Sequence, residues 1–171
     1  HLDTSIGTIE DVETYLGVPV LGVIPNISGP EIEKGFFGSL RARSEKLSSL
    51  RAKLIVYHSP KSPIVETYHT LRTNIKFTTM KTGGNIFLFT SAGPQEGKTI
   101  IATNFAIAAA QTGIKTLLVE ADLRRPAICK LLGLRREPGL SDILIGNVKW
   151  REALKGTSDF LLGELELDKL I

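Results

Sequence analysis

The sequence has almost none of the residues that build a cross-linked scaffold. Cys129 is the one cysteine among 171 residues, so an internal disulfide is impossible and a disulfide-stapled framework is excluded. No apolar run approaches the ~18 residues that a membrane-spanning helix needs. Aromatic residues make up only 6%, and neither sign of charge dominates. The net charge of +3 is too small to argue for a nucleic-acid partner. Internal repeats and low-complexity tracts are absent. What remains, 42% apolar and 23% charged residues, suits one globular domain with a small appendage. The chain opens at His1 and closes on residues 165–171 without a turn or cap, which reads as a piece of a longer protein.

Local signals divide the chain. Thr8 to Asp11 reads as a capping box, with Ile9, Val12 and Leu16 at helical spacing and Gly17 at the helix end. Val18 to Ile24 is a short apolar run closed by Pro25, which predicts a strand, and Asn26 to Pro30 is turn-rich. Residues 34–61 then shift in composition: Lys34, Arg41, Arg43, Lys46, Arg51, Lys53 and Lys61 stand against Glu45 alone. Such a stretch serves as a solvated linker or lies against anionic lipid. After Ser62-Pro63, the residues Ile64, Tyr68, Leu71 and Ile75 share one helical face.

The middle of the chain carries the chemistry. Ile86 to Thr90 reads as a buried parallel strand. Thr99 to Gln111 reads as a helix apolar almost all round, and Thr116 to Val119 as a second buried strand. Strand, loop, helix and strand make a βαβ unit. Short helices are predicted at Pro126–Leu132, Leu140–Ile145 and Lys149–Lys155.

Between the first strand and its helix lies Ala92-Gly93-Pro94-Gln95-Glu96-Gly97-Lys98-Thr99. It matches the P-loop pattern G-x-x-x-x-G-K-[ST], with Ala at the first position. Gly93 and Gly97 let the backbone approach a phosphate without a side chain in the way. Successive amides up to Ile100 point into one concavity, and the helix dipole adds positive potential. Lys98 supplies a charge for the outer phosphates, and the Thr99 hydroxyl suits magnesium. ATP with Mg2+ is the expected ligand. The second strand ends in Glu120-Ala121-Asp122, two carboxylates on one side of an extended segment. One could hold a magnesium-bound water and the other accept a proton from an attacking hydroxyl. Asp122 is the first choice, as magnesium ligand or base. The alternative is a strand-end carboxylate that caps the helix after Pro126 or pairs with Arg124.

Taken together, these residues resemble the bacterial tyrosine kinases of exopolysaccharide and capsule synthesis. In that family the P-loop is followed by D-x-D-x-R at the end of the next strand, written here Glu120-Ala121-Asp122-Leu123-Arg124 with Glu for the first acid. Gly139-Leu140-Ser141-Asp142 and Ser59-Pro60-Lys61-Ser62-Pro63 are also similar to family sequence. The helix from Glu66 resembles the E-x-x-R-x-x-R segment of ring-shaped self-assembly, keeping Glu66 and Arg72 but placing His69 at the first Arg. Residues 11–25 are similar to the cytoplasmic tail of polysaccharide chain-length determinants.

The resemblance implies an α/β P-loop NTPase fold, a mostly parallel sheet with helices on both faces, whose C-terminal part is missing. It implies a tail at 1–30, a basic linker at 31–61 and an incomplete kinase domain at 62–171. Lys98, Asp122 and Glu120 would be catalytic, Ala92 to Ile100 would bind nucleotide, and Thr99 and Asp122 would hold metal. The implied function is an ATP-dependent tyrosine autokinase acting on itself and other proteins. It would be tethered upstream of His1 to the cytoplasmic face of the bacterial inner membrane and assembled as a homo-oligomeric ring. A further strand ending in Asp and a tyrosine-rich tail would lie beyond Ile171. Two other functions fit a P-loop: a partitioning-type ATPase, and a regulatory module that binds nucleotide without turnover. Partitioning-type proteins carry a second lysine where this chain has Gly93.

Overall fold

A computed structural model describes residues 7–26, 53–80, 83–156 and 159. The turn at 27–30, most of the basic stretch and the chain after 159 lie outside the described residues. Six helices occur among the described residues: α1 (Ile9–Leu16), α2 (Ile55–His58), α3 (Pro63–Thr79), α4 (Lys98–Ala110), α5 (Ile128–Leu132) and α6 (Leu140–Leu144).

The α1 ends form as their side chains dictate. The Asp11 amide donates to Thr8 Oγ1 at 3.1 Å, and the Thr8 amide donates to Asp11 Oδ2 at 3.0 Å, closing the capping box. Gly17 ends the helix at φ 65°, a left-handed conformation that costs glycine little. The helix contributes no buried residue. The segment after it is better anchored. The Val20 amide donates to Glu13 Oε1, Asn74 Nδ2 of α3 donates to the Leu21 carbonyl at 2.8 Å, and Ile24 packs against the core.

The core sits where α2, α3 and α4 meet. Ile55, Val56, Val65, Tyr68, Phe105 and Ala108 form its buried cluster. On α3, Tyr68 is fully buried, and Ile64, Leu71 and Ile75 pack against the cluster, as their spacing predicts. Ile55 and Val56 come from the end of the basic stretch, where charge composition masks a short apolar run.

The α4 helix is buried along one side rather than all round. Thr103, Asn104, Phe105, Ala108 and Ala109 are enclosed, whereas Ala110 is exposed and Ile101 and Ile107 are only partly covered. Asn104 is fully buried and joins the 53–56 segment to α4. Its Oδ1 accepts from the Val56 amide at 3.1 Å, and its Nδ2 donates to the carbonyls of Lys53 at 2.9 Å and Ile100 at 3.1 Å. Such a residue is apolar in neither composition nor role, yet it fixes the register of α2 on α4.

The predicted strands carry no strand pairing among the described residues. Residues 86–89 nevertheless alternate with period two. Phe87 and Phe89 meet the Phe105 ring at centroid distances of 6.3 and 5.3 Å, while Ile86 and Leu88 are 97% and 87% exposed. One face therefore rests against Phe105 of α4, with Phe89 half-buried and Phe87 still 42% exposed, and the other is bare, where the sequence predicts burial on both. Leu117 and Val119 of the second expected strand are likewise exposed. A strand is defined by its neighbour's hydrogen bonds, and no described segment supplies them. Residues 149–155, a predicted helix, form turns held by i→i+3 bonds, Glu152 N to Lys149 O and Ala153 N to Trp150 O.

Replacing Asn104 by Ala strands the buried Val56 amide and the Lys53 carbonyl. The expected cost is about 3 kcal/mol, since each unmet buried group costs roughly 1–3 kcal/mol. Urea denaturation measures it. A loss below about 1 kcal/mol would show that these groups find other partners.

Candidate nucleotide-phosphate site

The phosphate loop joins the packed Phe87–Phe89 segment to α4. Gly97 stands immediately before the helix at φ 91°, and Gln95 is the one non-glycine residue with positive φ among the described residues, at 66°. A side chain at Gly97 would be strained by that φ, which is why glycine stands there. No side chain caps the start of α4, and its first turn contains no acidic residue. The leading amides of the helix therefore keep their positive potential for an outside anion. Lys98 and Thr99 are half-buried in that first turn. Behind them the Thr103 hydroxyl donates to the Thr99 carbonyl at 2.8 Å, tying the first turn to the second.

The start of the loop is held by its own side chains. The Gly93 amide donates to Glu96 Oε2 at 2.8 Å, and the Ser91 hydroxyl donates to the Gly93 carbonyl at 2.8 Å. Sequence reasoning assigned Glu96 to the loop only by position and did not single out Ser91. The one available signal was a carboxylate three residues after an unsubstituted amide.

The two carboxylates downstream do different things. Glu120 turns its carboxylate onto the amides that open α5: Ala127 N at 2.6 Å and Ile128 N at 3.1 and 3.0 Å to its two oxygens. Asp122 Oδ1 accepts from the Arg125 amide at 3.0 Å. That bond holds the Asp122 carboxyl below the ordinary carboxylate value, with further help from the Arg124 amide and from the charges of Lys98 and Arg125. The influence of Lys98 matters most for chemistry, because it brings the P-loop ammonium and the second acidic segment into one electrostatic neighbourhood. Asp122 is thereby ionised at neutral pH, as a magnesium ligand or proton acceptor must be. A hydroxyl and a carboxylate, Thr99 and Asp122, are hard oxygen donors. Magnesium fits so sparse a protein set, since it retains waters and takes its other ligands from phosphates. Among the described residues no group of three or more His, Cys, Asp or Glu forms a protein-only metal cage.

No family model matches the chain. Individual proteins do. Tyrosine-protein kinase YwqD of Bacillus subtilis is 34% identical over 117 residues, covering 68% of this chain and 49% of the relative. Succinoglycan biosynthesis transport protein ExoP of Rhizobium meliloti is 30% identical over 155 residues, covering 85% of this chain and 20% of the relative. The solved kinase domain of the Escherichia coli tyrosine kinase ETK superposes with TM-score 0.71 at 26% identity, over 90% of this chain and 56% of that domain. The chimerical protein CapA2B2 superposes with TM-score 0.61 at 33% identity, over 85% of this chain and 53% of that one.

The homologues of this chain are named as bacterial tyrosine-protein kinases. The chain spans about half the length of the first of these relatives and a fifth of the second. Its likeness to the ETK kinase domain extends over 90% of the chain, and these structural neighbours are kinase domains of P-loop NTPase type. In the kinase-like helix α3, Glu66 is exposed, while Arg72 turns inward and its Nη1 donates to the Ala108 carbonyl at 3.2 Å. No helix among the described residues is long and apolar enough to cross a membrane.

The sign of the Asp122 shift sets a pH dependence. A depressed carboxylate contributes stability that is present at neutral pH and is lost as pH falls through its lowered value. Titration of the Asp122 carboxyl carbon by NMR should give a midpoint below the ordinary aspartate value. Lys98→Met should raise that midpoint. An identical midpoint in the variant would separate Lys98 from Asp122.

Proposed function

We propose that this chain is the ATP-binding part of a protein tyrosine kinase that phosphorylates tyrosines on itself and on other proteins, in control of polysaccharide chain length and export. The observation that carries the reading is the uncapped start of α4, with Gly97 before it at φ 91° and Lys98 and Thr99 in its first turn. The names of the relatives support the class of reaction and the polysaccharide setting.

In this reading Ala92 to Ile100 wrap the phosphates of ATP, with the loop and helix amides as donors. Lys98 offsets charge on the outer phosphates. Thr99 and Asp122 hold magnesium, which when bound supplies further neutralisation of the phosphate charge. Where Thr99 alone supplies the protein ligand to magnesium, Asp122 is instead free to take the proton of an incoming hydroxyl. Phosphoryl transfer asks little covalent chemistry of a protein, so positioning and charge neutralisation suffice as its contribution. Glu120 acts by holding the 122–128 turn through the Ala127 and Ile128 amides. A partitioning-type ATPase is disfavoured at Gly93. The second lysine of those proteins is absent from this position, which holds glycine. Self-assembly through α3 and a tether to the cytoplasmic face of the cell membrane complete the proposal. Exposed Glu66 and the polysaccharide-transport relative support them.

The test is made on the full-length protein. Lys98→Met should abolish saturable MgATP binding. Asp122→Asn should keep binding and lower phosphotyrosine formation about 10²-fold or more, the usual contribution of a positioned proton acceptor. Unchanged binding in Lys98→Met would sink the reading. Phosphate release without phosphotyrosine would favour an ATPase, and binding with neither product a regulatory module.

A further inference from the structure

The phosphate loop contains a brace that its motif does not require. Gly93 is fixed at both of its polar groups by side chains: its amide by the Glu96 carboxylate and its carbonyl by the Ser91 hydroxyl, each at 2.8 Å. The carboxylate lies flat against the glycine, so that a Cβ built there would come within 3.1 Å of Oε1 and 3.5 Å of Cδ. Between the two anchors sits Gln95 at φ 66°, a left-handed conformation that costs a non-glycine residue of order 1–3 kcal/mol unless its surroundings enforce it. The Glu96 to Gly93 bond closes a ring around that residue and supplies the enforcement.

We propose that Glu96 and Ser91 are positioning residues for nucleotide binding, locking residues 91–96 in the phosphate-receptive shape before the nucleotide arrives. The inference rests on the nucleotide-binding reading above and adds two roles to it. A carboxylate so close to a phosphate site invites the opposite assignment, an internal anion that competes with the ligand. The geometry opposes that. Glu96 bonds the amide at the beginning of the loop, whereas the amides at the start of α4, where the anion potential is greatest, have no side-chain cap. A brace lowers the ordering cost of binding; a competitor raises it. The negative charge still repels polyphosphate, so the useful part of Glu96 is its acceptor oxygen.

These assignments give an ordered result for MgATP titrated into the full-length protein by calorimetry. Glu96→Ala should bind about tenfold more weakly, as fits the loss of one charge-assisted hydrogen bond. Glu96→Gln keeps the acceptor and drops the charge, and it should bind at least as tightly as the parent. Ser91→Ala should weaken binding by a smaller factor. In the absence of nucleotide, exchange of the Gly93 amide hydrogen should quicken in Glu96→Ala and stay slow in Glu96→Gln. If Glu96→Ala binds as well as the parent or better, the carboxylate is a competitor and the brace is wrong. If Glu96→Gln is as weak as Glu96→Ala, the acceptor argument fails. Should the parent itself bind no nucleotide, the functional reading falls, and the amide exchange still decides the brace.

Discussion

The first amides of α4 point away from the protein with no side-chain acceptor of their own, so the helix must be held from its flank and its far end. That requirement organises the described core. Phe105 and Ala108 lock one side of α4 into the cluster with Ile55, Val56, Val65 and Tyr68. Asn104 adds direction to this packing. Hydrophobic contact alone would let α2 slide along α4, whereas two hydrogen bonds from one buried amide, to the Val56 amide and the Lys53 carbonyl, allow a single register. The Tyr68 hydroxyl pays part of that cost. It is enclosed with no hydrogen-bond partner of good geometry among the described residues, and burial pushes its phenol up, opposed only by the nearby Asn104 side chain.

Three carboxylates around the site divide the work by what each already touches. Glu96 is engaged with the loop that precedes the phosphates, and Glu120 with the two amides that open α5. Asp122 combines one structural bond with the influence of the Lys98 charge. An acid can take a proton from substrate only if its oxygens are not consumed by the fold. By that criterion the extra methylene of Glu120, compared with the aspartate of the family pattern, has a use: it reaches across to residues 127 and 128 and makes a cap. The reading of the 120–122 pair therefore separates into a holder and a candidate proton acceptor, a distinction that the acidic spacing does not contain.

Where the sequence was legible, a local rule sufficed. The Thr8–Asp11 box, the α3 face through Tyr68 and the glycine before Lys98 each depend on residues within a few positions of one another, and each stands in the structure. The less legible features depend on distant partners. Nothing in Leu54-Ile55-Val56, set among basic residues, announces that Asn104 will take the Val56 amide 48 residues away. The three predicted strands, Val18–Ile24, Ile86–Thr90 and Thr116–Val119, have the right composition, but pairing is a property of two segments and not of one. In Ile86–Thr90, the Phe87 and Phe89 face meets the Phe105 ring, while Ile86 and Leu88 stand uncovered among the described residues. The site residues were recognised from the P-loop pattern, and the pattern says which side chains are near phosphate, not which ones are occupied with one another.

Arg72 shows why that difference matters for assembly. By resemblance it belongs to a self-association segment, yet in this chain it meets the Ala108 carbonyl near the end of α4. That carbonyl lies in the last turn, where the helix leaves its acceptors unpaired and where a cation is favourable. A guanidinium has five donors, so one bond to Ala108 does not exhaust it. A neighbouring copy that used the remaining donors would be held by the same residue that steadies α4. A copy that pulled Arg72 away would instead leave the end of α4 without its cation. Self-assembly through α3 is thus compatible with the fold only when it leaves the bond to Ala108 in place, which directs the search for a contact toward the exposed Glu66 side of the helix.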